Sequence, residues 1–172
     1  MVNIIFYIVI LISGISIGYL GARKYENRVI HLDDIILILK TVQSEMEYRR
    51  DPLPVLLEQI GERTDNSAGT FLLSVSNHLR DLRRFNLSES WEHAVLEVYG
   101  NTALKEEDKT ILSQAGIQLG KTDIENQDFL LNHVVAGLNR QRIEADEERR
   151  TKGKVYRTLG IASGLLAIII LL

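Results

Sequence analysis

Few residues in this chain have the type and spacing that chemistry needs. The most suggestive run is Ala115 to Thr122, AGIQLGKT, which fits a phosphate-binding loop with alanine in the first glycine position. Such a loop requires a strand before it and a helix after it, so that backbone amides converge on the phosphates. Here Ile111, Leu112, Ala115 and Leu119 continue a helical face straight into the motif, and Gly120 stands where a helix C-cap belongs. Nucleotide binding through Lys121 and Thr122 is therefore not expected. The four histidines, His31, His78, His93 and His133, lack metal-ligand spacing, and no cysteine is present. A thiolate nucleophile, an iron–sulfur cluster and a zinc knuckle are thus excluded. No serine occupies a nucleophile elbow. No catalytic residue, cofactor site or metal site is expected, and the chain reads as a non-enzyme.

The charged residues define the elements instead. The 20 Lys and Arg and 23 Asp and Glu give a net charge of −3, yet all of them lie between Arg23 and Arg157. A balance so near zero also argues against a nucleic-acid partner, which needs a basic face to displace counterions. Val2 to Ala22 is uncharged and, as a helix, about 31 Å long, the thickness of a bilayer's hydrocarbon core. A signal peptide is the rival reading, but no cationic segment precedes the apolar run. Thr158 to Leu172 is shorter; Val155, Tyr156 and Arg157 extend it, with the Lys154 and Arg157 stems reaching toward headgroups and Tyr156 at the interface. Its rival is a terminal helix buried in a soluble core.

Arg23, Lys24 and Arg28 follow the first span, and Arg149, Arg150, Lys152, Lys154 and Arg157 lead into the second. This flanking charge places the middle of the chain in the cytoplasm. The expected organisation is an N-terminal transmembrane helix over 1–24, a cytoplasmic helical bundle over 25–153, and a C-terminal transmembrane helix over 154–172. Gly14 and Gly18 in the first span, and Gly160 and Gly164 in the second, each form a small-xxx-small groove. The grooves would serve packing against each other or against neighbouring subunits, leaving self-association open; glycine is also common in membrane helices for no special reason.

Within the middle, apolar residues recur at helical spacing, and no alternating run long enough for a strand competes. Leu32, Ile35, Ile36, Leu39, Val42 and Met46 share one face. Asp51-Pro52 then predicts a break, with aspartate as N-cap and proline at the first helical position. Leu53, Leu56, Leu57 and Ile60 form the next face. Breaks follow at Asp65-Asn66-Ser67, Asn86-Leu87-Ser88, Gly100-Asn101-Thr102 and Gly120-Lys121-Thr122. Six helices result, an all-α bundle. The last opens on a capping-box spacing at Thr122 and Glu125 and carries Ile124, Leu130, Leu131, Val134, Leu138 and Ala145. It runs on toward the second span, with an interruption expected near Gly153. Trp91 is expected in the core. Glu45 with Arg49, Glu47 with Arg50, and Asp146 with Arg150 have i,i+3 or i,i+4 spacing and read first as solvated pairs.

Taken in order, these features resemble the stage III sporulation protein AB family. The resemblance rests on Tyr25 and Arg28, then Glu45-Met46-Glu47-Tyr48 and Asp51-Pro52-Leu53, Trp91, Thr102-Ala103-Leu104-Lys105, and Leu119-Gly120 with Asp123. Gln127 and Tyr156 before Leu159-Gly160 and Gly164 complete it. Departures are Arg49 where glycine is expected, Val29 where proline is usual, and Asp51 in place of threonine. The resemblance implies a component of a channel apparatus in the mother-cell membrane facing the forespore. The soluble part resembles F-type platform proteins of type II secretion and type IV pilus systems. By that analogy a cytoplasmic secretion-type ATPase would dock on the bundle, with other channel membrane proteins and membrane lipid as further partners. The polar stretch Glu45, Glu47, Arg49 and Arg50 is the candidate partner-binding site. A two-span signalling module with a helical cytoplasmic domain is the alternative.

Overall fold

The computed structural model describes residues 2–48, 51–80, 86–119 and 124–171. Among these there is no strand. The helices are α1 (Val2–Tyr48), α2 (Leu53–Glu62), α3 (Ser67–Arg80), α4 (Leu87–Tyr99), α5 (Glu106–Leu119), α6 (Ile124–Glu148) and α7 (Lys154–Leu171), with a π-helical turn, Arg149–Gly153, between α6 and α7. The six bundle helices are thus the second half of α1 followed by α2 to α6. The chain divides into two compact units: Met1–Val29 with Ile143–Leu172, and Ile30–Arg142. Packing therefore groups residues 25–29 and 143–153 with the terminal helices, although their composition is polar.

The unit Ile30–Arg142 is built around the apolar faces that periodicity marks out. Leu32, Ile35, Ile36, Leu39, Val42, Leu56, Leu57, Ile60, Leu131, Val134 and Leu138 are buried. Burying each such side chain contributes roughly 1.5–3 kcal/mol, which is what drives these amphipathic segments together. An aromatic centre ties α3 to α4. Phe71 stands edge-on to Trp91 at 5.1 Å and lies 5.8 Å from Tyr99, and all three side chains are fully buried. Trp91 Nε1 donates to the Leu112 carbonyl at 2.9 Å, joining α4 to α5. At Gly116 a Cβ would fall 2.3 Å from that of Trp91, so the absence of a side chain there is what lets α5 close on the indole. Ser76 Oγ donates to the Pro54 carbonyl at 2.8 Å, and Arg80 pairs with Glu58, fixing α2 on α3. Arg142 Nε reaches Asp33 Oδ1 at 2.9 Å, linking α6 to α1.

The helix ends follow local chemistry. Asn86 caps α4 by accepting from Glu89 N, and the Glu89 side chain accepts from Asn86 N, a complete capping box. Asn66 Oδ1 accepts from the amides of Ala68 and Gly69 at the start of α3. At α2 the structure departs from expectation by one position. Pro52, not Asp51, is the N-cap, its extended φ and ψ of −57° and 136° turning the chain, and Leu53 begins the helix. Proline's fixed φ suits either site, and Pro54 in the first turn has no amide hydrogen to waste. The expected capping box at Thr122 lies outside the described residues.

The other unit is a pair of long apolar helices. Gly14 and Gly18 of α1 lie directly against Gly160 and Gly164 of α7. A Cβ on Gly14 would sit 2.8 Å from the Gly160 carbonyl oxygen, and one on Gly18 2.9 Å from Gly160 Cα. Rising numbers on α1 meet falling numbers on α7, so the helices run antiparallel with backbones in contact. Facing away, Ile12, Ile17, Leu20, Leu159, Leu166, Ile169 and Ile170 are exposed. Among the described residues, two helices are long and apolar enough to cross a membrane, Tyr7–Tyr48 and Phe129–Ile170, and only 17% of each apolar window is buried. A core helix of a soluble protein would be mostly covered.

Candidate functional site

Polar side chains concentrate where the apolar pair ends. Arg28 is 2% exposed, an unusual place for a cation. Its Nη1 donates to Glu148 Oε2 at 2.9 Å and lies 3.6 Å from Glu144 Oε1. Glu148 also accepts from Lys152 Nζ at 2.5 Å. Because α1 and α6 run antiparallel here, the two glutamates, one turn apart, face the same arginine. Breaking so buried a pair costs at most about 3–5 kcal/mol, less here because Glu144 still faces Arg28 and Lys152 still reaches Glu148.

The next turn is the π-helical segment. An i→i+5 turn brings residues five apart nearly one above the other, where an α-helix would turn them to different sides. Arg149 thereby joins Arg150 and Lys154 on one side. Asp146, 14% exposed, accepts from Arg149 Nη2 at 2.5 Å and from Arg150 Nε at 2.8 Å. The Asp146–Arg150 contact was expected from its i,i+4 spacing; the one from Arg149 was not. Glu26, Arg149, Arg150, Lys154 and Arg157 line a surface cleft of about 350 Å³. Arg157 lies over the Tyr19 ring at 5.7 Å, with Arg23 at 5.8 Å from the same ring. The Tyr25 and Tyr156 rings meet at a tilt of 41°, with centroids 5.9 Å apart.

A second polar group lies in the helical unit. His31 Nδ1 is 3.1 Å from Ser67 Oγ, and its ring meets Tyr99 edge-on at 5.9 Å. Burial lowers the His31 pKa, partly offset by the nearby Asp34 carboxylate. Burial raises that of Asp34, offset by His31, and burial also raises the Tyr99 phenol. Glu97 accepts from Ser74 Oγ at 2.6 Å and lies 3.4 Å from His78 Nε2. The Ser74 hydrogen bond, ahead of His78, holds its pKa below the usual range.

The four glycines are brought together within one chain. The candidate partner-binding stretch is described only in part. Glu45 is half-buried and Glu47 exposed, with Tyr48 beside it 81% exposed; Arg49 and Arg50 lie outside the described residues, as do Gly120, Lys121 and Thr122. The described part of the AGIQLGKT run is the end of α5, and the segment before it is helical. Among the described residues no three His, Asp or Glu side chains converge as a metal site requires. Sequence reasoning missed Glu144 and Glu148. They lie in the run Arg140 to Lys152, which is dense in charges of both signs, and nothing in the sequence sets these two carboxylates apart from their neighbours.

An all-helical bundle joined to a glycine-packed pair of apolar helices defines the class. A family model described as stage III sporulation protein AB matches residues 3–172, and the chain belongs to that sporulation family. It is similar to stage III sporulation protein AB of Bacillus subtilis (strain 168), with 23% identity over 172 residues covering 100% of both chains. A solved structure of stage III sporulation protein AB (SpoIIIAB) shares the fold at a TM-score of 0.65 and 21% identity, covering 72% of this chain and 96% of that one.

Proposed function

We propose that the protein is a non-enzymatic membrane platform of a sporulation channel, with α1 and α7 crossing the membrane, the helical unit in the cytoplasm, and a secretion-type ATPase docked on that unit. The observation that carries the membrane part is the glycine-packed pair, which buries backbone against backbone and turns its aliphatic side chains outward. In water that face would be a large unpaired apolar surface; in lipid it needs no partner. The cationic residues that follow one span and precede the other favour a cytoplasmic middle. Docking of the ATPase rests on the resemblance to F-type platforms, and Glu45 and the exposed Glu47 at the end of α1 are the described part of the candidate face.

Co-purification tests the reading. The full chain in detergent should retain the secretion-type ATPase of the same organism, and Glu47→Lys should lower retention at least fivefold without changing helical content. A folded, membrane-integrated chain that retains none of the ATPase would contradict it.

A further inference from the structure

We propose that the cleft formed by Glu26, Arg149, Arg150, Lys154 and Arg157 is a binding site for one anionic phospholipid, its phosphate held by the cations. The inference rests on the membrane reading above.

Four cationic side chains line the cleft against one carboxylate, Glu26. Asp146 grips both Arg149 and Arg150, which positions the two guanidinium groups beside each other while cancelling only one of their charges. The cleft keeps an excess of positive charge, and guanidinium forks match phosphate oxygens in geometry. The π turn is what gathers the set, because without the extra residue Arg149 would lie off the side that carries Arg150 and Lys154. Arg157 is steadied over Tyr19.

The same feature identifies the ligand. Lys154 and Arg157 form the first turn of α7, and beyond them on the same side of the helix Ile161 and Leu165 are exposed. A molecule filling the cleft with its phosphate would lay hydrocarbon along that face. A free phosphate would leave it bare. Tyr156 and Tyr19 stand at the level of the cleft, as aromatic side chains do at a headgroup layer.

The full chain in a neutral detergent, titrated with phosphatidylglycerol, phosphatidylcholine or inorganic phosphate and followed by native mass spectrometry, tests this. The expected result is retention of one phosphatidylglycerol, at least tenfold preferred over phosphatidylcholine, and not displaced by inorganic phosphate in hundredfold excess. Lys154→Gln with Arg157→Gln should lower retention at least tenfold. Lys24→Gln with Lys152→Gln, the same loss of charge outside the cleft, should change it less than twofold, and Glu26→Gln should raise it two- to fivefold. Equal retention of phosphatidylcholine, equal loss in both double variants, or full displacement by inorganic phosphate would overturn the site. Extraction of the chain from membranes by carbonate would instead overturn the membrane reading, so the two failures are told apart.

Discussion

Arg28 and His31 sit three residues apart on α1 and illustrate two ways of burying a titratable group. Arg28 keeps its charge by taking Glu148 and Glu144 as partners. Arg28→Gln should therefore destabilise the protein by about 1–3 kcal/mol, because Glu148 loses its buried cation and keeps only the more exposed Lys152. Arg28→Met combined with Glu148→Met should recover most of that, since neither charge then needs compensation; denaturation in detergent measures both. His31 is instead held neutral by burial, with its pKa lowered. Its folded form resists protonation while its unfolded form does not, so stability is full above the unfolded value of about 6.5 and falls as pH drops through that value toward the folded one. Thermal unfolding should thus shift to lower temperature between pH 7 and pH 5.5, and His31→Gln should flatten the slope. Asp34, shifted upward, acts with the opposite sign: deprotonation costs more in the folded state, so its contribution improves as pH falls through the carboxylate range. Glu97, shifted downward, loses its contribution below about pH 4.5.

At the scale of elements, the glycine contact sets backbone of α1 against backbone of α7. Gly18→Leu or Gly160→Leu would drive a side chain into opposing backbone within 3 Å, and each should cost about 1–3 kcal/mol by overpacking. Ile17→Leu, on the outward face, should be neutral by the same thermal measurement. Most helices were legible because one-sided burial writes a 3.6-residue period, as Leu32 to Val42 show, and because Asn86 and Asn66 carry side chains that cap. The N-cap at α2 shifted by one residue because Asp51-Pro52-Leu53-Pro54 offers the chain two prolines and periodicity does not choose between them. The interruption expected near Gly153 takes the form of a π turn, a hydrogen-bond register that no residue pattern encodes. For the same reason the convergence of Arg149 with Lys154 was invisible: the α-helical spacing used to read the sequence puts them on different sides. Arg28 stood out as a cation flanking the first span and through the family resemblance, but its glutamate partners, more than a hundred residues away, could be found only by folding the chain.

For the molecule as a whole, the central claim is that the charged middle remains on the cytoplasmic side between two spans. The distribution of charge supports it at one level, with no Asp, Glu, Lys or Arg before Arg23 or after Arg157. Packing supports it at another, through an apolar exterior on α1 and α7. The chain contains no cysteine, so a single introduced thiol reports without background. Asn101→Cys lies exposed in the α4–α5 turn, away from every contact described above. The decisive measurement is its labelling by a membrane-impermeant maleimide in intact cells and after lysis. The account predicts protection in intact cells and full labelling once they are opened. Labelling of Asn101→Cys in intact cells would contradict it.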